Sequence, residues 1–172
     1  MQLWKNYADV YDVAIIHPSG QSTGELRRGL GTQRFRLGQT ELLIYYGEPS
    51  PSSKAQEIYI DFLPVADYLD AGIWRIQLLP KRIVQGNYDL WMPSAAALGA
   101  DTGFLFPMPE TTLTIPSTAE RVISVSAYNA ATDAYAEFSG RGYTRELQGI
   151  KPDLAAPGVD VTTTAVGGGY RS

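Results

Sequence analysis

The sequence predicts a mainly β protein whose first part forms an antiparallel β-sandwich or jelly roll. Helical periodicity is scarce, and short apolar or alternating segments dominate the first hundred residues. Gly, Pro, Ser and Asn interrupt these segments every 8–15 residues or so, a spacing of roughly the size typical of short antiparallel strands. We therefore expect a jelly-roll-like antiparallel β-sandwich over residues 1–108.

Individual strands of this sandwich follow from the apolar runs. The predicted strands are Asp12–Ile16, Glu41–Tyr46, Glu57–Leu63, Gly72–Leu79 and Asn87–Met92. Trp74, Ile76 and Leu78 share one face of the fourth strand, because side chains alternate across a strand. Arg75 and Gln77 lie on the opposite face. We therefore expect the first three to point to the core and the other two to solvent.

Composition excludes several classes of protein. The chain has 172 residues, of which 44% are hydrophobic and 19% charged, so it is globular rather than disordered. A net charge of −4 provides no basic face for nucleic acid. The absence of cysteine excludes disulfides and thiolate metal sites. We expect no membrane segment and see no signal peptide after Met1.

Three motifs in the last sixty residues resemble the subtilase family of serine proteases. They are the segment Leu113–Asn129, the run Phe138-Ser139-Gly140-Arg141-Gly142 and the run Lys151-Pro152-Asp153-Leu154-Ala155-Ala156-Pro157-Gly158-Val159. In subtilases, similar motifs occur in this order shortly before the nucleophilic serine. The earlier segments 72–76 and 86–93 resemble the jelly-roll domain that is inserted in germination-type subtilases of spore-forming bacteria.

This resemblance implies that residues 109–172 are a partial subtilisin-type α/β catalytic-domain segment. The family's catalytic Asp, His and Ser motifs and its oxyanion Asn motif are missing from the sequence. Since hydrolysis needs these groups in one site, we expect this chain to be a non-catalytic internal fragment. The intact protein would be a serine endopeptidase, secreted or spore-associated in a bacterium.

The resemblance also defines the expected partners. They are the rest of the protease chain and, in the intact enzyme, a peptide or protein substrate, with no nucleic acid, membrane or cofactor. Strands removed from a parallel sheet carry unpaired backbone groups and bare apolar surface. The tail is therefore expected to pack back on the sandwich or to pair with a second copy, giving a homo-oligomer.

The site residues that the resemblance implies lie in the last sixty residues. Leu113, Thr114 and Ile115 match one wall of the substrate pocket, although simple sheet packing is the alternative interpretation. Asp153 matches a position beside which related enzymes sometimes hold a weak cation, together with carbonyl groups of residues 117–122. The alternative for Asp153 is a carboxylate that accepts backbone N–H groups. No metal ligand set is predicted.

Other candidates have simpler interpretations. His17 is the single histidine, and it is expected to end a strand rather than to act as a catalytic base, because no subtilase His motif surrounds it. Ser172 follows Gly-Tyr-Arg rather than Gly-Thr and is not expected to be a nucleophile. An aromatic platform for sugars, formed by Trp74, Tyr88 and Trp91, is one interpretation of these residues, but the alternation of Trp74 with Ile76 and Leu78 favours core packing for Trp74. The alternatives to a protease segment are thus a carbohydrate- or protein-binding β-sandwich module and a pseudoprotease.

Overall fold

The computed structural model describes residues 1–29, 31–48, 51, 53–99, 101–144 and 149–172. Over these residues the protein is mainly β with largely antiparallel sheets, as the sequence predicts. The chain divides into two compact units, Met1–Gly103 and Phe104–Ser172. The boundary expected from the sequence lies five residues later, between residues 108 and 109.

The first unit is a sandwich of two antiparallel sheets. Its described strands are β1 (Gln2–Asn6), β2 (Val10–Ile16), β3 (Thr32–Leu37), β4 (Thr40–Tyr46), β5 (Ala55–Pro64), β6 (Arg75–Arg82) and β7 (Tyr88–Trp91). A short helix, α1 (Ala95–Leu98), follows β7. Among the described residues, one sheet has the order β3-β4-β5-β1-β7, and β2 pairs with β6 in the other.

Apolar side chains from both sheets meet in one core. Leu3, Ile44 and Ile58 come from the five-stranded sheet, and Val13 and Ile15 come from the two-stranded sheet. All five are 0% exposed. Burying a side chain of this size contributes about 1.5–3 kcal/mol relative to leaving it in water. The two sheets of the first unit therefore pack around one hydrophobic core.

The predicted strands correspond to β2, β4, β5, β6 and β7. The ends of β2, β4, β5 and β7 differ from the prediction by up to two residues. β6 runs from Arg75 to Arg82, three residues later at each end than predicted, and the Trp74 indole before it donates a hydrogen bond of 3.0 Å to the Asp70 carbonyl. Ile76 and Leu78 pack against the core, and Arg75 is exposed, as predicted.

A buried carboxylate joins two segments of the first unit that are far apart in the sequence. Asp9 is 1% exposed, and its carboxylate accepts the backbone N–H groups of Val84, Gln85 and Gly86 at 2.5–2.9 Å. Burial raises the pKa of Asp9, but these N–H donors and the nearby Lys5 ammonium together hold it below the ordinary value. Burial also lowers the pKa of Lys5 to about 8. The carboxylate is thus ionised and fully engaged.

Replacing this carboxylate tests its contribution to stability. Asp9→Asn leaves one oxygen acceptor where three N–H groups converge, so we expect the free energy of unfolding to fall by roughly 2–4 kcal/mol at pH 7. Because the folded pKa is depressed, the stabilisation is present above the unfolded pKa of about 4 and is lost as pH falls through the folded value. The difference from wild type in denaturant titrations should therefore shrink below about pH 4.

The exposed Asp67 provides the matched control. We expect Asp67→Asn to change the free energy of unfolding by less than about 0.5 kcal/mol. An Asp9→Asn protein as stable as wild type at pH 7 would show that the three N–H contacts contribute nothing measurable.

The second unit contains short strands around a parallel pair. They are β8 (Val125–Asn129), β9 (Ala134–Tyr135), β10 (Gly142–Tyr143), β11 (Ile150–Lys151), β12 (Leu154–Pro157), β13 (Thr163–Thr164) and β14 (Tyr170–Arg171), within the described ranges. β12 pairs in parallel with β8, which also pairs with β9 in the antiparallel direction. β8 begins at Val125, although the apolar run predicted a strand from Val122.

Large apolar side chains of the second unit face outward. Ile115, Ile123 and Phe138 are 88%, 77% and 73% exposed, and Leu154 on the parallel strand β12 is 60% exposed. In the described part of this unit, Ala136 is the buried hydrophobic residue. Parallel strands are normally covered on both faces, so this surface is of the kind that further protein covers.

Gly142 lies where no side chain fits. Its φ is +121°, and a Cβ atom there would lie 2.2 Å from the backbone nitrogen of Thr111. Only glycine relieves both the strained backbone and the backbone clash. This glycine ends the run 138–142, so the close approach explains its position in that motif.

Substituting this glycine should disrupt the second unit. We expect Gly142→Ala to cost about 2–4 kcal/mol, since both the positive φ and the contact with Thr111 must be relieved. Hydrogen exchange of residues 110–112 and 142–143 measures the effect. Gly103→Ala is the control, because a Cβ atom there meets nothing within 4 Å. Equal amide protection of these residues in Gly142→Ala and Gly103→Ala would contradict the prediction that only glycine fits at position 142.

Candidate functional site

A cavity of about 210 Å³ in the second unit is the candidate site. Two of the three predicted pocket-wall residues, Leu113 and Thr114, line it, while Ile115 is not among its lining residues and is exposed. The other lining residues are Thr112, Ser117, Ser124, Val125, Phe138, Ser139, Gly140 and Pro152. All three sequence motifs therefore contribute residues to one cavity, and several of those residues carry hydroxyl groups.

Hydrogen bonds hold the two sides of this cavity together. The Thr112 N–H donates to the Arg141 carbonyl (2.8 Å), and the Arg141 N–H donates to the Thr112 hydroxyl oxygen (3.0 Å). On the other side, the Ala127 N–H donates to the Ser139 hydroxyl oxygen (3.0 Å). The run 138–142 is thus fixed both to the segment before the wall and to strand β8.

A second cavity shares part of this lining. It has a volume of about 310 Å³ and is bordered by Tyr135 and Arg141, among other residues of the turn after β9. The Tyr135 hydroxyl donates to the Gly140 carbonyl (2.7 Å), and the Arg141 guanidinium lies 5.5 Å from the centre of the Tyr135 ring. This contact orders the outer edge of the candidate site.

Asp153 lies beside the cavity and is engaged by neighbouring residues. Its Oδ2 atom lies 2.7 Å from Lys151 Nζ and accepts the Ser124 N–H at 2.7 Å. The Lys151 ammonium, and after it the Ser124 N–H, lower the pKa of the Asp153 carboxyl. The expected backbone N–H contact is therefore present, and the carboxylate is also part of an ion pair.

Two peptide bonds beside the candidate site are cis, the one before Pro116 and the one before Pro152. Both prolines adjoin the candidate site, because Ser117 and Pro152 line its cavity.

His17 lies in the first unit, immediately after β2. Its ring is 7% exposed, and Nδ1 accepts the Ser19 N–H at 3.0 Å and lies 2.7 Å from the Ser19 hydroxyl. Nε2 is 3.0 Å from Asp70 Oδ2, an ion-pair distance without a well-aligned hydrogen bond. The ring edge also contacts Trp74, with centroids 4.7 Å apart.

These contacts make His17 the anchor of a turn. The same Nδ1 lone pair faces both the amide and the hydroxyl of Ser19, so it is not reserved for activating that hydroxyl. Partial burial opposes ionisation of Asp70, but the Gln39 N–H and contacts with His17 and Thr40 lower its pKa. The strand-end interpretation of His17 agrees with this geometry.

The aromatic residues considered for sugar binding lie in different surroundings. Trp74 packs against the core and meets the Phe62 ring edge-to-face at 5.2 Å. Tyr88 contacts Tyr11, with ring centroids 6.4 Å apart. Trp91 stands opposite Gln2 on the edge strand β7. Trp74 therefore serves packing, as its alternation with Ile76 and Leu78 indicates.

Sequence reasoning overlooked Lys151, Ser124 and Ser139 as site residues. Lys151 and Ser139 belong to the quoted motifs, yet their roles depend on which distant carbonyl or amide they reach. Ser124 interrupts an apolar run, and a buried hydroxyl in such a run was the available signal. Ser172, by contrast, is exposed and apart from the residues that line the cavity.

In the described ranges, no group of three or more His, Cys, Asp or Glu side chains is arranged to hold a metal ion. The helix that is described is too short to span a bilayer.

Comparisons with known proteins agree with the geometry of this site. The model of the subtilase family (peptidase S8) matches residues 86–171, which include the whole candidate site. The structure of the Clostridium perfringens CspB protease is similar to the chain, with a TM-score of 0.85 and 33% sequence identity. A search of curated proteins found no match.

The structural match covers 98% of this chain and 35% of the CspB protease chain. The chain therefore spans about a third of the length of that relative. Because the family model covers half of the chain and the structural likeness nearly all of it, the chain belongs to the subtilase family.

Proposed function

We propose that this chain is an internal segment of a longer subtilisin-like serine endopeptidase of the germination type. The observation that carries the proposal is the TM-score of 0.85 to the CspB protease over 98% of this chain. In this proposal, the first unit is an inserted jelly-roll domain, and the second unit is part of the catalytic domain of a bacterial enzyme.

The proposed reaction is peptide-bond hydrolysis by acyl transfer. A serine attacks the scissile carbonyl, a histidine takes its proton and returns it to the leaving amine, and an aspartate orients the histidine. This chain supplies none of these groups in the proposal, because His17 anchors a turn in the first unit. Its contribution is to hold one wall of the substrate pocket.

The wall is proposed to consist of Leu113, Thr114 and Ile115. Leu113 and Thr114 line the cavity beside β8, and the Thr112–Arg141 hydrogen bonds fix the start of this segment. A small hydroxyl side chain at position 114 leaves room for a large substrate side chain. The bonds to Arg141 provide the rigidity that a recognition surface needs.

Activity of the full-length protein tests the assignment. We expect it to cleave peptides and to be inactivated by a serine-directed reagent, while the 172-residue chain alone shows no cleavage. Loss of the nucleophile or the base from such a triad lowers turnover by about 10⁶-fold. Full-length protein that lacks cleavage and has substituted triad positions would identify a pseudoprotease instead.

A substitution in the wall tests the pocket. We expect Thr114→Phe in the full-length enzyme to lower kcat/KM about tenfold or more for substrates with a large apolar residue before the scissile bond, because the ring fills the space. Substrates with alanine there should be affected less. Thr132→Phe, in the exposed turn after β8, is the control. A uniform loss for both substrates would contradict the pocket assignment.

A further inference from the structure

Lys151 is a largely buried cation with two oxygen partners. Its side chain is 9% exposed. The ammonium donates to the Val122 carbonyl and to Asp153 Oδ2, each at 2.7 Å. One partner is thus two residues away and the other 29 residues away along the chain. The Lys151 ammonium therefore links the segment that contains Val122 to the segment that contains Asp153.

The Asp153 carboxylate continues the link in the other direction. Its Oδ2 atom accepts the Ser124 N–H, and the Asp153 N–H donates to the Ser124 carbonyl (2.9 Å). We name the four residues Lys151, Asp153, Val122 and Ser124 the lysine clamp. The clamp lies immediately before the parallel pair of β8 and β12, so it fixes the register in which these strands begin.

The lysine clamp also borders the candidate site. Pro152, between its two charged residues, and Ser124 both line the cavity. The Ser124 hydroxyl donates to the Ser117 carbonyl at 2.6 Å, and Ser117 lines the cavity as well. Displacement of the clamp would therefore move the loop that follows Ile115.

The oxygen atoms that face the ammonium are the kind that a metal cation would need. A carboxylate and a backbone carbonyl are typical ligands of hard cations. Here the two oxygens already share one unit charge at hydrogen-bonding distance, so the donor set does not fit an additional cation. Without the ammonium, the carboxylate and carbonyl oxygens would lose their common partner, at a cost that the partial exposure of Asp153 limits.

We propose that Lys151 is a positioning residue that replaces a bound cation, because its tethered ammonium fixes the loop 116–123 against residues 151–153. The part of the proposal that concerns the pocket wall rests on the proposed protease function. The part that concerns the tethered cation does not.

Chemical rescue in the full-length protein tests the tethered cation. Lys151→Ala removes the ammonium and leaves a space, so amide exchange of residues 122–126 and 151–157 should accelerate roughly tenfold, given the partial exposure of Asp153. Ammonium or potassium chloride should restore protection, while choline chloride at equal ionic strength should not. Wild-type protein should be insensitive to the choice of salt.

Two matched variants separate the charge from the side-chain volume. Lys151→Met fills the same space without charge, so exchange should accelerate and no salt should restore protection. Lys151→Ala combined with Asp153→Asn should lose the rescue, because the carboxylate that attracts the cation is gone. Wild-type protection in Lys151→Met, or a choline effect equal to that of potassium, would overturn the proposal.

Peptide cleavage provides a separate measurement for the pocket wall. If the full-length protein is a protease, Lys151→Ala should raise KM more than it lowers kcat, and potassium should reverse the change. Hydrogen exchange needs no activity, so its result stands even if no cleavage is found. If Lys151→Ala does not fold in any salt, the rate of amide exchange in Lys151→Met tests the role of the tethered ammonium by itself.

Discussion

The parallel pairing of β8 with β12 is the constraint on which the second unit depends. These strands bring together segments that are 29 residues apart, and the three sequence motifs meet around them. At one end the lysine clamp fixes the register. At the other end Gly158 donates its N–H to the Tyr128 carbonyl, where a Cβ atom would lie 2.6 Å from the Ala127 methyl group. Electrostatics and close backbone packing therefore hold opposite ends of one short pair.

The two units achieve order by different means. The first has a core in which residues from both sheets are fully buried, together with an ionised Asp9 that three N–H groups satisfy. The second buries few apolar side chains, and Ser, Thr and Lys side chains take part in many of its described side-chain hydrogen bonds. Such contacts fix geometry well but contribute little net free energy each. The second unit therefore relies on hydrogen bonds more than on a hydrophobic core of its own.

The sequence was informative where periodicity or a motif carried the information. Alternating runs located five strands of the sandwich, and the family motifs located the residues of the candidate site. β1 was missed because the buried Lys5 interrupts its apolar pattern, whereas β3 was missed although exposed Arg34 and Arg36 alternate there with Phe35 and Leu37. Lys5 is buried in β1, and its ammonium donates a hydrogen bond to the Asp9 carbonyl. The lysine clamp was missed for a different reason, since a partner 29 residues away leaves no local pattern.

The neighbouring positions of β1 and β7 have a consequence for how this sandwich is accommodated in a polypeptide. Gln2 and Trp91 are cross-strand partners, so the first and last strands of the sandwich lie side by side, with these two residues about 5 Å apart. A host protein can open a single surface loop at that point and receive the whole sandwich with little change in its own backbone.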